Sequence, residues 1–416
     1  METGETSLPP RVRAIDFDYT APRSEEGSNA MWRALRAQYP VAWTEHHGGH
    51  WVISTYAQNV AAFRDWETFS SARTDPRNLS IQIIGGEIGI LNPEELDPPE
   101  WDSYRHVLAR LLSPGAVQRL RPRVEKWVRY YIDEAIESGT IDLAYDLSSR
   151  VPGAVVLDWL GWPRDEWDRV SHAWHAYAGH APGMPEFDHA IRELGWVDGR
   201  IVELVADRQK APRDDAISSF VTTEIDGRPM SAAYAEGMVR LAVAGGVETT
   251  TAVTSAALVH LHFNPQHRQA LLDDPKAFDL AIEEFLRVHP PARTHARTLT
   301  KDVEFGGCPM RKGDRVLLSE VSANYDESVF PDADKFVIDR FPNRHVAFGM
   351  GIHRCPGSHL ARLEMRETIS QVLTRMPDYE VIEDKLVAAP NWGSAGGWVR
   401  APAVFTPGRR TGASAE

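Results

Sequence analysis

The hydrophobic pattern of the chain resolves into helical stretches with a few short strand-like runs between them. Residues 31–39 read as a short helix, 50–55 as a strand and 56–63 as a second helix. A helix over about 101–112 follows Asp97-Pro98-Pro99-Glu100, whose prolines stop the preceding loop and give the helix a rigid entry. The longest helical pattern covers residues 232–262, with Ser231 as N-cap and Asn264-Pro265 as the stop. It is long for a globular helix and apolar enough to run buried through the molecule. Gly245 and Gly246 interrupt it. Each costs a helix about 1 kcal/mol, so a close approach or a local opening must require them. Further on, Glu284 and Arg287 share one face of a helix that Pro290 and Pro291 end. Residues 297–305 read as a strand, the turn Gly306-Gly307-Cys308-Pro309 follows, and helical propensity returns over 358–365. Residues 1–30, rich in Pro, Ser, Thr and charge, are expected to run over the surface, and the polar tail 408–416 is expected to fray. No Gly/Ser-rich linker or fixed-period repeat divides the chain.

Composition narrows the classes. A chain of 416 residues can bury an ample core and has room for more than one domain. A formal charge of −14 argues against nucleic-acid binding through bulk attraction. No apolar run reaches the ~18 residues of a membrane span, and the start lacks a basic-then-apolar signal pattern, so a soluble, cytoplasmic protein is expected. No dinucleotide or flavin fingerprint occurs. His172, His175, His180 and His189 lie among Trp167, Trp174 and Tyr177 without zinc-site spacing and are expected mainly at the surface. Of the two cysteines, Cys308 reads as structural.

The other cysteine carries chemistry. Phe348-Gly349-Met350-Gly351-Ile352-His353-Arg354-Cys355-Pro356-Gly357 sets it in a glycine-rich loop directly ahead of a helical pattern. A thiolate there can hold haem iron from one side and leave the other side open. Its charge must be offset by backbone N–H groups of the turn and of the helix start. Pro356 has no N–H, which leaves Gly357, Ser358 or the preceding turn. Gly349 and Gly351 allow positive φ or close approach to a porphyrin, and Phe348 is placed to shield the sulfur.

This segment resembles the haem-binding loop of cytochrome P450 enzymes at Phe348, Gly349, Gly351, His353, Cys355 and Gly357. Gly245-Gly246-Val247-Glu248-Thr249 is similar to the family's oxygen-activation motif, and Glu284 to Arg287 to its Glu-x-x-Arg motif. The likeness spans roughly residues 30–407. It implies the cytochrome P450 fold, mainly α with small β-sheets, as a single haem domain over 1–416. It implies haem b with Cys355 as the metal ligand, Trp101, Arg105, Arg297 and His353 on the propionates, and Gly245, Phe348 and Gly357 against the macrocycle. Many soluble bacterial relatives carry His where Trp101 stands. By the same resemblance Thr249 offers a hydroxyl near bound oxygen, Glu248 connects it to solvent as a proton carrier, and Glu284 and Arg287 form a buried structural network with Arg340. The histidine-rich stretch corresponds to the family's mobile lid.

Specificity is expected from Ile83, Ile84, Ile90, Leu241, Ala244, Ala292, Arg293, His295 and Trp392, a mostly apolar set suited to a mid-sized organic molecule. Arg293 or His295 is alternatively placed to meet a carboxylate. The resemblance implies a monooxygenase, in secondary-metabolite biosynthesis, that draws electrons from an external ferredoxin and an NAD(P)H-dependent ferredoxin reductase. Arg105, Arg110, Arg119, Arg121, Arg123, Arg354 and Arg362 give the cysteine side a local basicity suited to an acidic ferredoxin. The alternatives are a peroxide-driven or ring-coupling P450, and a haem protein that binds its ligand without turnover. The Glu248-Thr249 pair favours dioxygen chemistry over both.

Overall fold

Helix starts follow the local signals. In the computed structural model, which describes residues 14–21, 24–73, 81–84, 89–390 and 396–412, Ser24, Ser113, Asp215 and Ser231 each accept the backbone N–H three residues on. The helices Arg150–Leu160, Trp167–Gly179, Pro185–Lys210 and Ser358–Arg375 pack around the long central segment, and Pro114–Ala135 packs on the first and last of them. That segment has the length and apolarity to cross a membrane, but 72% of its most apolar window is buried inside the protein, as befits a core helix. One apolar cluster, from Tyr104 to Phe405, fills the helical body.

The sheets sit at the edges of this body. The largest has five strands in the order Val41–Thr44, His50–Ile53, Arg315–Ser319, Thr294–Leu299, Phe69–Ser70. Arg315–Ser319 runs parallel to His50–Ile53 and antiparallel to Thr294–Leu299, pairing Val316 with both Trp51 and Arg297. Trp43, Trp51, Phe63 and Phe69 form a second core against it. The architecture is therefore mainly α with small β-sheets.

Several sequence expectations need correction. The long helix is two helices, Ala232–Gly246 and Glu248–Phe263, broken at Val247. Gly246 lies so close to the neighbouring helix that a β-carbon would sit 2.7 Å from Val156 Cγ2. The strand over 297–305 is instead two strands, Thr294–Leu299 and Val303–Phe305. The first helix is Glu25–Gln38, and Phe17 and Tyr19 before it are buried in a third apolar cluster rather than spread over the surface. The tail is tied down through Gly412: Thr411 and Gly412 donate backbone N–H groups to Asp133, and Gly408 to the Ile136 carbonyl. Cys308 is a fully buried thiol in no disulfide and donates toward the Val41 carbonyl, which fits a structural residue.

Glu284, Arg287 and Arg340 form the expected network, and all three are buried. Arg287 donates to both Glu284 oxygens at 2.7 and 2.8 Å, and Arg340 Nε bridges them at 3.0 and 3.1 Å. Val337 N–H and Asn343 complete the carboxylate's shell, while both guanidinium groups go on to backbone carbonyls.

Candidate active site

The helix break and the cysteine loop face each other across a cavity of about 1370 Å³, part of it open to solvent. Gly245, Gly246, Thr249 and Thr250 line one wall, and Phe348 to Met350, His353 and Cys355 to Gly357 the other.

The loop is closed by the Cys355 N–H donating to the Phe348 carbonyl at 2.8 Å. Gly349 and Gly351 have φ of +62° and +70°, and a β-carbon on Gly351 would meet the Phe63 carbonyl at 2.4 Å. Only glycine satisfies both conditions there. Burial raises the Cys355 thiol pKa, against a lowering by the Gly357 N–H and by Arg105 and Arg354. Such a thiol needs a further positive partner to stay ionised. Phe348 packs between this loop and Arg362, whose guanidinium lies 4.5 Å from its ring centroid.

Trp101, Arg105, Arg297 and His353 reach the cavity from three separate segments. The Trp101 and His353 rings meet edge to face at 5.8 Å, and the Arg105 guanidinium lies 5.8 Å from the Trp101 ring. Arg105 donates to the Arg354 carbonyl and Arg297 to that of Ala296. Neither guanidinium has a carboxylate within ion-pair distance among the described residues, and burial holds both pKa values below the usual arginine range. His353 Nε2 is buried with no hydrogen-bond partner, Asp97 standing 3.7 Å off. Arg105 and Arg297 are thus donors without a carboxylate partner among the described residues, and His353 has only a distant one.

On the opposite wall Thr249 Oγ1 donates to the Gly245 carbonyl at 2.7 Å, bridging the broken turn. Glu248 does not reach the cavity; it is buried and pairs with His175 of the Trp167–Gly179 helix. That histidine is therefore a core residue, not a surface one. Sequence reasoning also missed Glu364, a buried carboxyl on the cavity wall. Burial pushes its pKa well above the ordinary value, Thr250 is its side-chain partner, and Oε1 has none. The signal was a lone acid among Leu360, Leu363, Met365 and Ile369 on a buried helix face.

Of the substrate-pocket candidates, Leu241, Ala292 and His295 line the cavity, joined by Pro93, Glu94, Val156 and Trp159. Ala244 packs instead against the helical core, one residue round from Gly245. Ile83 and Ile84 belong to the cluster around Phe17 and Trp32, and Ile90 is exposed on the outer side. Arg293 points to Ser28 and lies against Gly396. Trp392 falls outside the described residues.

Known proteins share this helical body with a cysteine loop facing a broken central helix. The cytochrome P450 family model matches residues 276–381. The chain is 31% identical to cytochrome P450 130 of Mycobacterium tuberculosis, over 89% of this chain and 92% of that protein. It is 33% identical to a steroid C26-monooxygenase of Mycolicibacterium smegmatis, over 92% and 94%. A Mycobacterium marinum cytochrome P450 solved with pseudoionone superposes with a TM-score of 0.86 at 26% identity, covering 96% of this chain and all of that one. The chain belongs to the cytochrome P450 family and is a monooxygenase. The residues present fit the family's haem. The thiol lines the cavity, and the loosely held His353 nitrogen and the two guanidinium groups, which have no carboxylate at ion-pair distance among the described residues, would be satisfied by an anionic rim.

Proposed function

We propose that this chain holds haem b through the Cys355 thiolate and oxidises a mid-sized, predominantly apolar and uncharged organic molecule, as part of secondary metabolism. When bound, the haem supplies dioxygen activation and transfer of one oxygen atom to the substrate. The observation that carries the reading is the pairing of Cys355 on one cavity wall with the Gly245–Thr249 break on the other. Arg105, Arg297, His353 and Trp101 orient the cofactor by charge-assisted bonds. Thr249 supplies a hydroxyl on the cavity wall that can give and take a proton, and Glu248 is the acid beside it in the chain. The apolar wall of Leu241, Ala292, Val156 and Trp159 binds the substrate and excludes water. A carboxylate on the substrate is disfavoured: Arg293 points elsewhere, and His295 is held by Glu320 on one side with Glu94 at 3.8 Å on the other.

Electrons come from a ferredoxin served by an NAD(P)H-dependent reductase. Arg110, Arg119 and Arg354 are exposed near the cysteine side and supply the docking charge. Arg121, Arg123 and Arg362 are tied to Glu367, Asp158 and Glu283 and contribute less than their count suggests. The test is the reduced carbon monoxide spectrum. A strongly red-shifted Soret band of thiolate type is expected, lost in Cys355→Ala and kept in Cys308→Ala. A band of histidine-ligated type in the folded protein overturns the assignment.

A further inference from the structure

Glu94 and Glu95 are adjacent acids with opposite surroundings. Glu95 is buried and closed: one oxygen accepts the Leu91 N–H at 2.9 Å and the other faces Arg73 at 3.3 Å. Glu94 lines the cavity with its side chain 29% exposed, and no group among the described residues hydrogen-bonds its carboxyl. Its ion-pair neighbour there is His295 Nε2, at a loose 3.8 Å. That histidine is already held, because its Nδ1 is bonded to the fully buried Glu320. His295 and Arg297 stand two apart on the strand Thr294–Leu299 and so on one side of it, with the Phe63 ring against both. Arg297 is spoken for by the carboxylates of the proposed haem. Glu94 carries the same charge as those carboxylates, so holding them is not its task. It remains an open acceptor on the wall of an otherwise mostly apolar cavity.

We infer that Glu94 is a substrate-binding residue whose carboxyl accepts a hydrogen bond from a neutral hydroxyl on an otherwise apolar substrate, so that the site selects alcohols over molecules of the same shape without the donor. The inference rests on the proposed reading of the cavity as the seat of an apolar, uncharged molecule. A polar group shut into such a cavity is costly unless it is hydrogen-bonded, and a substrate that closes the cavity must bring the donor with it. The cationic side of Glu94 is already taken. Burial alone would lower the His295 pKa, but the Glu320 charge and hydrogen bond, with the Glu94 charge, outweigh it and raise the value. The ring therefore favours its cationic form, and a substrate ammonium would enter against it. Burial raises the Glu94 pKa, while His295, Arg297 and Arg105 pull it down; a donated hydroxyl hydrogen adds support for the ionised form. A substrate carboxylate would meet Glu94 as a like charge. The apolar body of the molecule lies against Leu241, Ala292, Val156 and Trp159, so the hydroxyl decides which end turns to Glu94.

The experiment titrates ferric, haem-loaded protein with three probes of one skeleton and reads the Soret shift that each produces. The probes are cyclododecanol, its methyl ether and the cyclododecyl trimethylammonium cation. Wild type should bind the alcohol about tenfold tighter than the ether, and the cation more weakly than the alcohol. Glu94→Leu should bring the alcohol-to-ether ratio down to about one while the ether still binds. Glu94→Gln, nearly the same shape with a neutral acceptor, should fall between, and it carries the comparison if the leucine variant does not hold haem. A ratio that both variants leave unchanged overturns the inference, and so does a cation that binds tightest. A loss of affinity for all three probes together, with the ratio kept, makes Glu94 a prop for His295 and overturns it too. If the ether binds wild type as well as the alcohol does, the apolar cavity stands and the role of Glu94 falls. If no probe moves the band while the carbon monoxide spectrum is of thiolate type, the substrate reading and this inference fall together.

Discussion

Both oxygens of Glu284 are filled by Arg287, Arg340, Asn343 and the Val337 N–H, all from within the chain. Across the molecule, buried His353 Nε2 keeps only a long contact with Asp97 at 3.7 Å, and buried Glu364 Oε1 has no hydrogen-bond partner among the described residues. The sequence marks both regions with charged residues at helical or loop spacing, yet only the first is closed. A closed buried network fixes the relation between a helix and the loop that follows. An open one is tolerated when something else completes it, because an unsatisfied buried polar group costs about 1–3 kcal/mol. The difference separates scaffold from site without reference to any ligand.

Breaking the closed network should have the largest effect. Arg287→Ala leaves Glu284 buried and short of its main counter-charge, a loss of about 3–5 kcal/mol. Denaturant titration should show a much lower midpoint, or no soluble protein. Glu284→Gln should be nearly as damaging, since Arg340 then loses its carboxylate as well.

Breaking the open cluster should spare the fold and weaken the cofactor. Arg105→Ala removes a guanidinium that has no paired carboxylate, so the melting temperature of haem-free protein should hardly change. Haem loss to an acceptor apoprotein should quicken by about tenfold, the equivalent of one charge-assisted bond. His353→Ala should behave alike with a smaller effect. Equal damage to haem-free and haem-loaded forms would place either residue in the closed class.

The sulfur side was the more legible half. Cys355, Phe348 and the two positive-φ glycines lie within one short stretch, so spacing alone set their geometry. The Glu284 network was legible for a similar reason, an i, i+3 pair on one helix with a third charge in a recognisable place. The opposite wall was readable only along the helix: Gly245 and Thr249 line the cavity, while Glu248 turns away to a histidine 73 positions earlier. No local pattern encodes that contact, because it depends on how the Trp167–Gly179 helix lies across the break. The pocket failed for the same reason. Ile83 and Ile84 looked like lining because they are apolar in a loop, but a neighbouring apolar cluster around Phe17 and Trp32 competes for them. Ala244 and Gly245 differ by one position on a helix and so by about 100° in direction.

Glu364→Gln is the finest test of the comparison. An acid whose folded pKa is raised contributes its stability below the ordinary value of 4.5 and loses it as pH climbs toward the folded value, because the unfolded chain ionises first. Glutamine keeps the shape and never ionises. The variant should match wild type near pH 4 and melt about 1–3 °C higher at pH 8, read by calorimetry on the haem-free protein. A difference independent of pH would mean that Glu364 has a partner at Oε1 after all and belongs with Glu284. A pH-dependent gain would show that the chain keeps, on its cavity wall, an acid that weakens the fold at neutral pH. Glu364 then belongs with His353 among the groups that only the occupied site can satisfy.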